Sequence, residues 1–243
     1  MLAAPNVWRR PVNSRNKPVA IKSVLAVITS LLLLAILLSG WWFYAQIWAL
    51  ASHNPGTSAF ISRYEAHSQQ PAHWEPVEYD QIATAVKQAV IASEDARFMQ
   101  HRGVDWIETR HAMRANWQSK RIVRGGSTIS QQLVKNLFFS ENRSLTRKLL
   151  EYPLSYMLES RLSKQRILEL YLNLAEWGEG IFGIEAAAWH YYQRPAAALT
   201  NAQAAHLAAM LPNPRYYQKN PASPQLQARI ERIQSRMQYA HIP

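Results

Sequence analysis

The hydrophobic pattern along this chain changes character once. From Ser23 to Ser52 no side chain is ionisable except that of Tyr44, and Val24 to Tyr44 is dominated by Leu, Val, Ile and Ala. A helix needs roughly 20 apolar residues to cross a bilayer, so residues 23–50 read as a transmembrane anchor. Trp41, Trp42, Phe43 and Tyr44 sit near one end of the run, where an interfacial aromatic belt belongs. From Tyr79 onward apolar residues recur at three- and four-residue steps, as in Ile82, Val86, Ala89 and Val90, the mark of amphipathic helix. The same reading predicts helices at about 104–118, 128–139, 144–152, 154–161, 164–175, 182–192, 200–211 and 223–240. Alternating strand patterns are scarce, and there is no internal repeat. Between anchor and helices, His53 to Pro76 is polar and holds Pro55-Gly56, Pro71 and Pro76, which predicts a linker. The chain therefore divides into a basic tail at 1–22, an anchor at 23–50, a linker at 51–76 and a mainly α domain at 77–243.

Charge gives the anchor a direction. Arg9, Arg10, Arg15, Lys17 and Lys22 precede it, and the next basic residue of the Lys or Arg type is Arg63. That asymmetry places the N-terminus in the cytoplasm and residues beyond about 50 outside. Ala49-Leu50-Ala51 has the shape of a signal-peptide cleavage site. The apolar stretch of a signal peptide is typically about 7–15 residues, however, and this run is longer, which favours a retained anchor. The formal charge of +11 points to anionic partners, among them nucleic acid, acidic lipid and phosphorylated substrates. Nucleic acid is set aside, because no recognition motif occurs and the charged domain faces away from the cytoplasm. The nine Trp and eleven Tyr can fill a core or line a groove. Cysteine is absent, so disulfides and thiolate metal sites are excluded.

Three groups of residues could carry chemistry. The first is Glu94-Asp95, just after an apolar helical stretch, with Arg97, Phe98 and His101 following. A carboxylate at the rim of a core is partly desolvated, which suits a general base; the alternative is an ordinary acidic pair with Arg97 as its partner. His101 reads either as a catalytic acid or as a histidine bonded to a helix end. The second group runs from Gly125 to Asn136. Gly125 and Gly126 permit a tight turn, and Ser127 can cap the helix that follows. Thr128, Gln131, Gln132 and Lys135 then share one face, with Ile129, Leu133 and Leu137 on another. A helix N-terminus favours an anion; the alternative is a solvated amphipathic helix. The third group is Arg147, Lys148 and Glu151, spaced so that both cations meet one carboxylate. It is either a surface ion-pair triplet or a set of cations for a diphosphate. The zinc-protease H-E-x-x-H and the P-loop are missing. So are the K-T-G and S-D-N motifs of a transpeptidase.

In order, these residues closely resemble glycosyltransferase family 51, the peptidoglycan polymerases. Glu94-Asp95-x-x-Phe98-x-x-His101-x-Gly103 resembles the first family motif, Gly125 to Asn136 the second and Arg147-Lys148-x-x-Glu151 the third. Arg166 to Asn173 resembles the fourth, and Arg194-Pro195 through Thr200 to Leu211-Pro212-Asn213-Pro214 the fifth. The resemblance runs from about Glu75 to Pro214 and is to the monofunctional type, with one anchor and no transpeptidase. Two positions depart from the usual pattern. Gln203 stands where the family usually has glutamate, and Arg194 where it often has lysine.

The resemblance implies a lysozyme-like, two-lobed helical domain whose cleft works against the outer surface of the bacterial inner membrane. It implies polymerisation of lipid II into β-1,4 glycan with inversion at C1 and release of undecaprenyl diphosphate. The growing lipid-linked chain is the donor and lipid II the acceptor. Glu94 would then take the acceptor's proton. Lys135, Arg147, Lys148 and, more weakly, Arg124 would neutralise the leaving diphosphate. Glu151 would orient those cations or hold a divalent metal, Mg or Mn; no cofactor is required. Thr128, Gln131 and Gln132 would bond sugar or phosphate oxygens. Asp95, Phe98, His101, Gly126, Ser127, Asn136, Glu169 and Asn173 would support the site. Membrane lipids and cell-wall synthesis or division proteins are the implied partners. A lysozyme-like glycan cleaver is disfavoured by the cations of the second and third groups, and an inactive scaffold by the intact acidic ones.

Overall fold

The computed structural model describes residues 17–121, 125–139 and 144–243. They fall into two compact units that divide between Ala45 and Gln46. The first is built on helix α1 (Lys17–Ala49) as far as Ala45. From Ile21 to Ala49 this helix is long and apolar enough to cross a membrane. Its large side chains, Leu31 to Leu34 among them, stand exposed, as a lipid-facing helix requires once its backbone bonds are met internally.

The second unit holds the remaining elements. In chain order these are α2 (Ala59–Ser68), β1 (His73–Trp74), α3 (Thr84–Glu94), α4 (Trp106–Ser119), α5 (Ile129–Phe138), α6 (Leu145–Arg161) and α7 (Lys164–Leu174). There follow β2 (Glu176–Gly178), β3 (Ile181–Phe182), α8 (Ile184–Tyr192), α9 (Asn201–Met210), α10 (Pro214–Lys219) and α11 (Pro224–Met237). Local chemistry accounts for many of the helix starts. Ser58, Asp105, Thr128, Ser144, Ser163 and Thr200 each accept a bond from a first-turn N–H of the helix they precede, a cap worth about 1 kcal/mol. The three short strands form one sheet in the order β1-β3-β2. β1 runs parallel to β3, pairing His73 with Ile181 and Trp74 with Phe182, while β2 is antiparallel to β3.

Two sequence expectations differ from this architecture. Residues 51–76 were expected as a linker, but they contain α2, which packs against α5, and β1, which joins the sheet. Their two-residue strand is created by a partner more than a hundred positions away, so no local pattern announces it. The breaks expected around Pro153 do not occur either: α6 is one helix with Pro153 inside. Proline removes one helix hydrogen bond. Here the Ser155 hydroxyl adds a bond in the same turn, donating to the Glu151 carbonyl at 2.6 Å, and the packing of α6 against α5 holds the rest.

The core gathers in two groups of helices. α3, α9 and α11 pack on one another, and α5 packs between α6 and α7. Ile129, Leu133 and Val134 of α5 are fully buried, with Ser130 beside them, so α5 is a core helix rather than one with a solvated face. Burying each such aliphatic side chain contributes roughly 1.5–3 kcal/mol. The loop before α4 fits closely onto α6. Gly103 has φ +76°, and a Cβ there would stand 2.8 Å from the Ser155 carbonyl carbon and 2.9 Å from the Tyr156 nitrogen. Gly103→Ala is therefore expected to destabilise the domain by about 2–4 kcal/mol, combining left-handed strain with backbone overlap. Thermal melting reads this; a midpoint within a degree of the parent would show that the loop can step aside.

Candidate active site

The apolar stripe Val86, Ala89 and Val90 buries α3 in the core and carries its last residue, Glu94, to the mouth of a cleft of about 850 Å³. The Glu94 side chain is only 11% exposed. Its Oε1 accepts a bond from the Ser93 hydroxyl at 3.1 Å, and its Oε2 accepts one from the Gln132 Nε2 of α5 at 3.0 Å. The Arg229 guanidinium of α11 stands 4.0 Å from Oε1. The carboxylate is thus held by donors from two helices.

Asp95 is buried and has different partners. His101 Nε2 lies 3.0 Å from both of its oxygens, and Oδ2 also accepts the backbone N–H of Ile129, the first residue of α5, at 3.0 Å. His101 packs edge-on to the fully buried Phe98. Its Nδ1 lies 3.9 Å from Glu159 Oε1. Glu159 in turn accepts bonds from Ser130 at 2.5 Å and from the Lys164 ammonium at 2.8 Å. Burial pushes the Lys164 ammonium below its ordinary value, with Glu159 and Asp95 acting in the opposite sense. This cluster does for the α3–α5 junction what a second layer of ligands does for a metal: it fixes the groups that face the cleft.

The start of α5 departs from expectation in one respect. Thr128, rather than Ser127, is the N-cap. Its hydroxyl accepts the Gln131 N–H at 3.2 Å and donates to the Gly103 carbonyl at 2.6 Å, while Gln131 Oε1 accepts the Thr128 N–H at 3.0 Å. Both side chains are buried in this capping box, and the Thr128 hydroxyl and the Gln131 amide oxygen hold the helix end. Gln132 alone of that trio turns to Glu94. Gly126 sits against α4, where a Cβ would meet Thr109 Cα at 3.1 Å. Ser127 lines the cleft and accepts a bond from the Lys148 ammonium at 2.8 Å.

Lys148 leads to the third group. Its ammonium also bonds Glu151 Oε2 at 2.8 Å, and Arg147 Nε stands 3.0 Å from Oε1. Glu151 is buried and does not line the cleft; both of its oxygens face cations. Those residues do not fit a metal ion, which would have to displace one cation. Among the described residues no cluster of three or more His, Asp or Glu could hold one.

The other sequence candidates stand further back. Lys135 lies one turn beyond Gln132, with its ammonium 5.2 Å from the centre of the Phe60 ring, and it does not line the cleft. Asn136 is buried within α5. Glu169 pairs with Arg166; burial pushes its carboxyl up and the Arg166 charge opposes this. Arg166 then bonds the carbonyls of Leu50 and His53, each at 2.9 Å. Asn173 clamps Val77, accepting its N–H at 3.0 Å and donating to its carbonyl at 2.8 Å. Arg124 lies outside the described residues.

Sequence reasoning missed the far wall. Arg229, Arg232 and Arg236 of α11 line the cleft beside Ile233. The signal was present: on a helix with buried Leu226, Ile233 and Met237, the three arginines fall at i, i+3 and i+7, one face. Arg97 also lines the cleft and bonds Asp105 at 2.8 Å. Burial works against the Asp105 charge, but the Glu108 N–H, Arg97 and the Ile107 N–H together hold its carboxyl below the ordinary range. Asp95 and Asp105 are committed to partners and Glu108 stands 3.7 Å from His111, while Glu94 lies beside the arginine wall of α11. Such an arrangement can take a proton at one point and hold an anion beside it.

Comparison with known proteins places the chain in a family. The family model described as Transglycosylase matches residues 60–238. A protein of Methylobacillus flagellatus named biosynthetic peptidoglycan transglycosylase is 47% identical over 220 residues, 88% of this chain and 95% of that one. Proteins of the same name from Nitrosomonas eutropha and Chromobacterium violaceum are 49% and 45% identical, covering 88% and 90% of this chain and 90% and 99% of their own.

Glu151 is the residue whose structural role the geometry states most sharply. Removing its charge leaves two cations, 16% and 35% exposed, without their shared partner. Glu151→Gln is expected to cost about 2–4 kcal/mol of stability, after discounting for the exposure of Lys148, and to lower activity through Ser127 and Lys148. Melting and turnover measured together check this. Lost turnover with an unchanged midpoint would place Glu151 in the chemistry itself.

Proposed function

This chain belongs to the transglycosylase family, and we propose that Glu94 and the surrounding cleft cations carry out its reaction. That reaction is the polymerisation of peptidoglycan glycan strands, a glycosyl transfer without transpeptidation. In our reading the donor is the growing strand, still linked to undecaprenyl diphosphate, and the acceptor is lipid II. The acceptor's 4-hydroxyl oxygen attacks C1 of the donor sugar. The bond from C1 to the diphosphate oxygen breaks, its electron pair leaves with the diphosphate, and Glu94 takes the hydroxyl proton. An α linkage thereby becomes β in one displacement. A sugar hydroxyl is a far weaker acid than a carboxyl, so the proton moves with the attack and not before it. A base so placed contributes roughly 10²–10⁴ in rate.

The observation that supports this reading best is the state of Glu94. Its oxygens accept bonds from two neutral donors, at 3.1 and 3.0 Å, with the Arg229 guanidinium 4.0 Å away, while Asp95 bonds His101 and Asp105 bonds Arg97. Charge leaving with the diphosphate needs fixed cations in a site with little water. Lys148 through Ser127, and Arg229, Arg232 and Arg236 across the cleft, are the nearest candidates. Lys135 and Arg147 contribute from further back. No resident metal enters this scheme. The apolar helix would anchor the enzyme in the inner membrane with its N-terminus in the cytoplasm, keeping the enzyme at the membrane that carries the lipid-linked substrate.

Glu94→Gln keeps the shape of the side chain and removes the base. We expect it to slow lipid II polymerisation by at least about 100-fold, with melting temperature and circular dichroism unchanged. A correctly folded variant with turnover near that of the parent would remove Glu94 from the mechanism.

A further inference from the structure

Gln132 has a second partner on the side away from Glu94. The Tyr171 hydroxyl, on α7, lies 3.0 Å from Gln132 Oε1. Charge decides how this chain is polarised. The Glu94 carboxylate only accepts hydrogen bonds, so Gln132 must turn its amide nitrogen toward it. The amide oxygen is then left facing Tyr171, and the phenol can only donate. The phenol is suited to that task. Burial first, and then the charges of Glu94 and Asp95, push its ionisation well above the ordinary value. It keeps its proton at any pH at which the enzyme works.

The tyrosine itself cannot move aside. Its ring is 1% exposed, and its helix neighbours Leu168, Leu170 and Leu172 are buried with it. Gln132, by contrast, is half-buried, and a free glutamine amide rotates readily about its last torsion. With its oxygen engaged, the amide is fixed at both ends.

We propose that Tyr171 is a positioning residue for the transfer: acting through Gln132, its hydroxyl fixes the Glu94 carboxylate in the orientation that takes the acceptor proton. The inference rests on Glu94 being the base. One Glu94 oxygen is tied along this chain and the other to Ser93, so the carboxylate plane cannot swing. Loss of the tyrosine hydroxyl frees the amide and lets the base wander among orientations, only some of which meet the sugar hydroxyl. A misplacement of about 1 Å at a reacting group is enough to slow chemistry severely. Substrate binding, which draws on the whole cleft, is left largely as it was.

The test is a double-mutant cycle on lipid II polymerisation with Tyr171→Phe, Gln132→Met and the pair. Tyr171→Phe is expected to lower kcat about fivefold, the worth of one hydrogen bond, with KM within twofold of the parent. If Tyr171 acts only through Gln132, the double variant is no slower than Gln132→Met alone. A parental kcat for Tyr171→Phe overturns the proposal, and so does a double variant whose loss is the product of the two single losses. Rates are taken per folded molecule, from the melting curve, so that lost stability does not pass for lost positioning. Gln132→Met leaves Tyr171 and α7 intact, and a parental kcat there overturns the chain equally. Should Glu94→Gln stay active, the base assignment falls and this inference with it. An inactive Glu94→Gln beside a fully active Tyr171→Phe removes only the Tyr171 link.

Discussion

Two adjacent carboxylates at the end of α3, each bonded to a different part of α5, set the constraint on which the rest of the site depends. Glu94 accepts a bond from the Gln132 amide, while the buried Asp95 binds the first N–H of α5 at 3.0 Å. Together they join α3 to α5. Neither bond is possible unless α5 begins at one place, and that start is defined by the capping box of Thr128 and Gln131. Thr128 also reaches the Gly103 carbonyl at 2.6 Å, and Gly103 lies against the α6 backbone with no room for a side chain. The position of the Glu94 carboxylate is thereby tied to the packing of three helices.

The charges are arranged with equal economy of freedom. Most acids near the cleft already have a dedicated partner: Asp95 has His101, Asp105 has Arg97, and Glu151 has both Arg147 and Lys148. Glu94, Glu108 and the arginines of α11 also line the cleft. In the proposed reaction the departing diphosphate would meet those arginines, of which Arg229 also stands 4.0 Å from Glu94. The same arrangement explains a net charge of +11 in a protein that works on an anionic lipid.

The helical class, the anchor and the acidic and cationic groups were legible in the sequence because each depends on local spacing. The apolar stripe of α3 led directly to Glu94 at its end. Where the reading went astray, the deciding interaction was distant. Thr128 and Gln131 look like ligand groups on a polar face, yet the same two residues make a capping box, and only the burial of α5 between α6 and α7 shows which use prevails. Pro153 reads as a helix break until the packing of α6 on α5 is seen. The strand at His73 exists only because Ile181 lies beside it. The α11 arginines had a visible spacing but nothing in the sequence to say which cavity they border. Tyr171 lay inside a recognised motif with no assigned role, since its value comes from a partner on another helix.

The central claim is that Glu94 acts as a base in a single displacement and never bonds to the sugar. Rapid-quench mass spectrometry of the enzyme during turnover, with the linkage of the product read by nuclear magnetic resonance, tests this most directly. The account predicts β linkages throughout the new strand and no glycosyl adduct on the peptide that carries Glu94. A sugar ester trapped on Glu94, formed and consumed at the rate of turnover, would make that carboxylate a nucleophile and contradict the account.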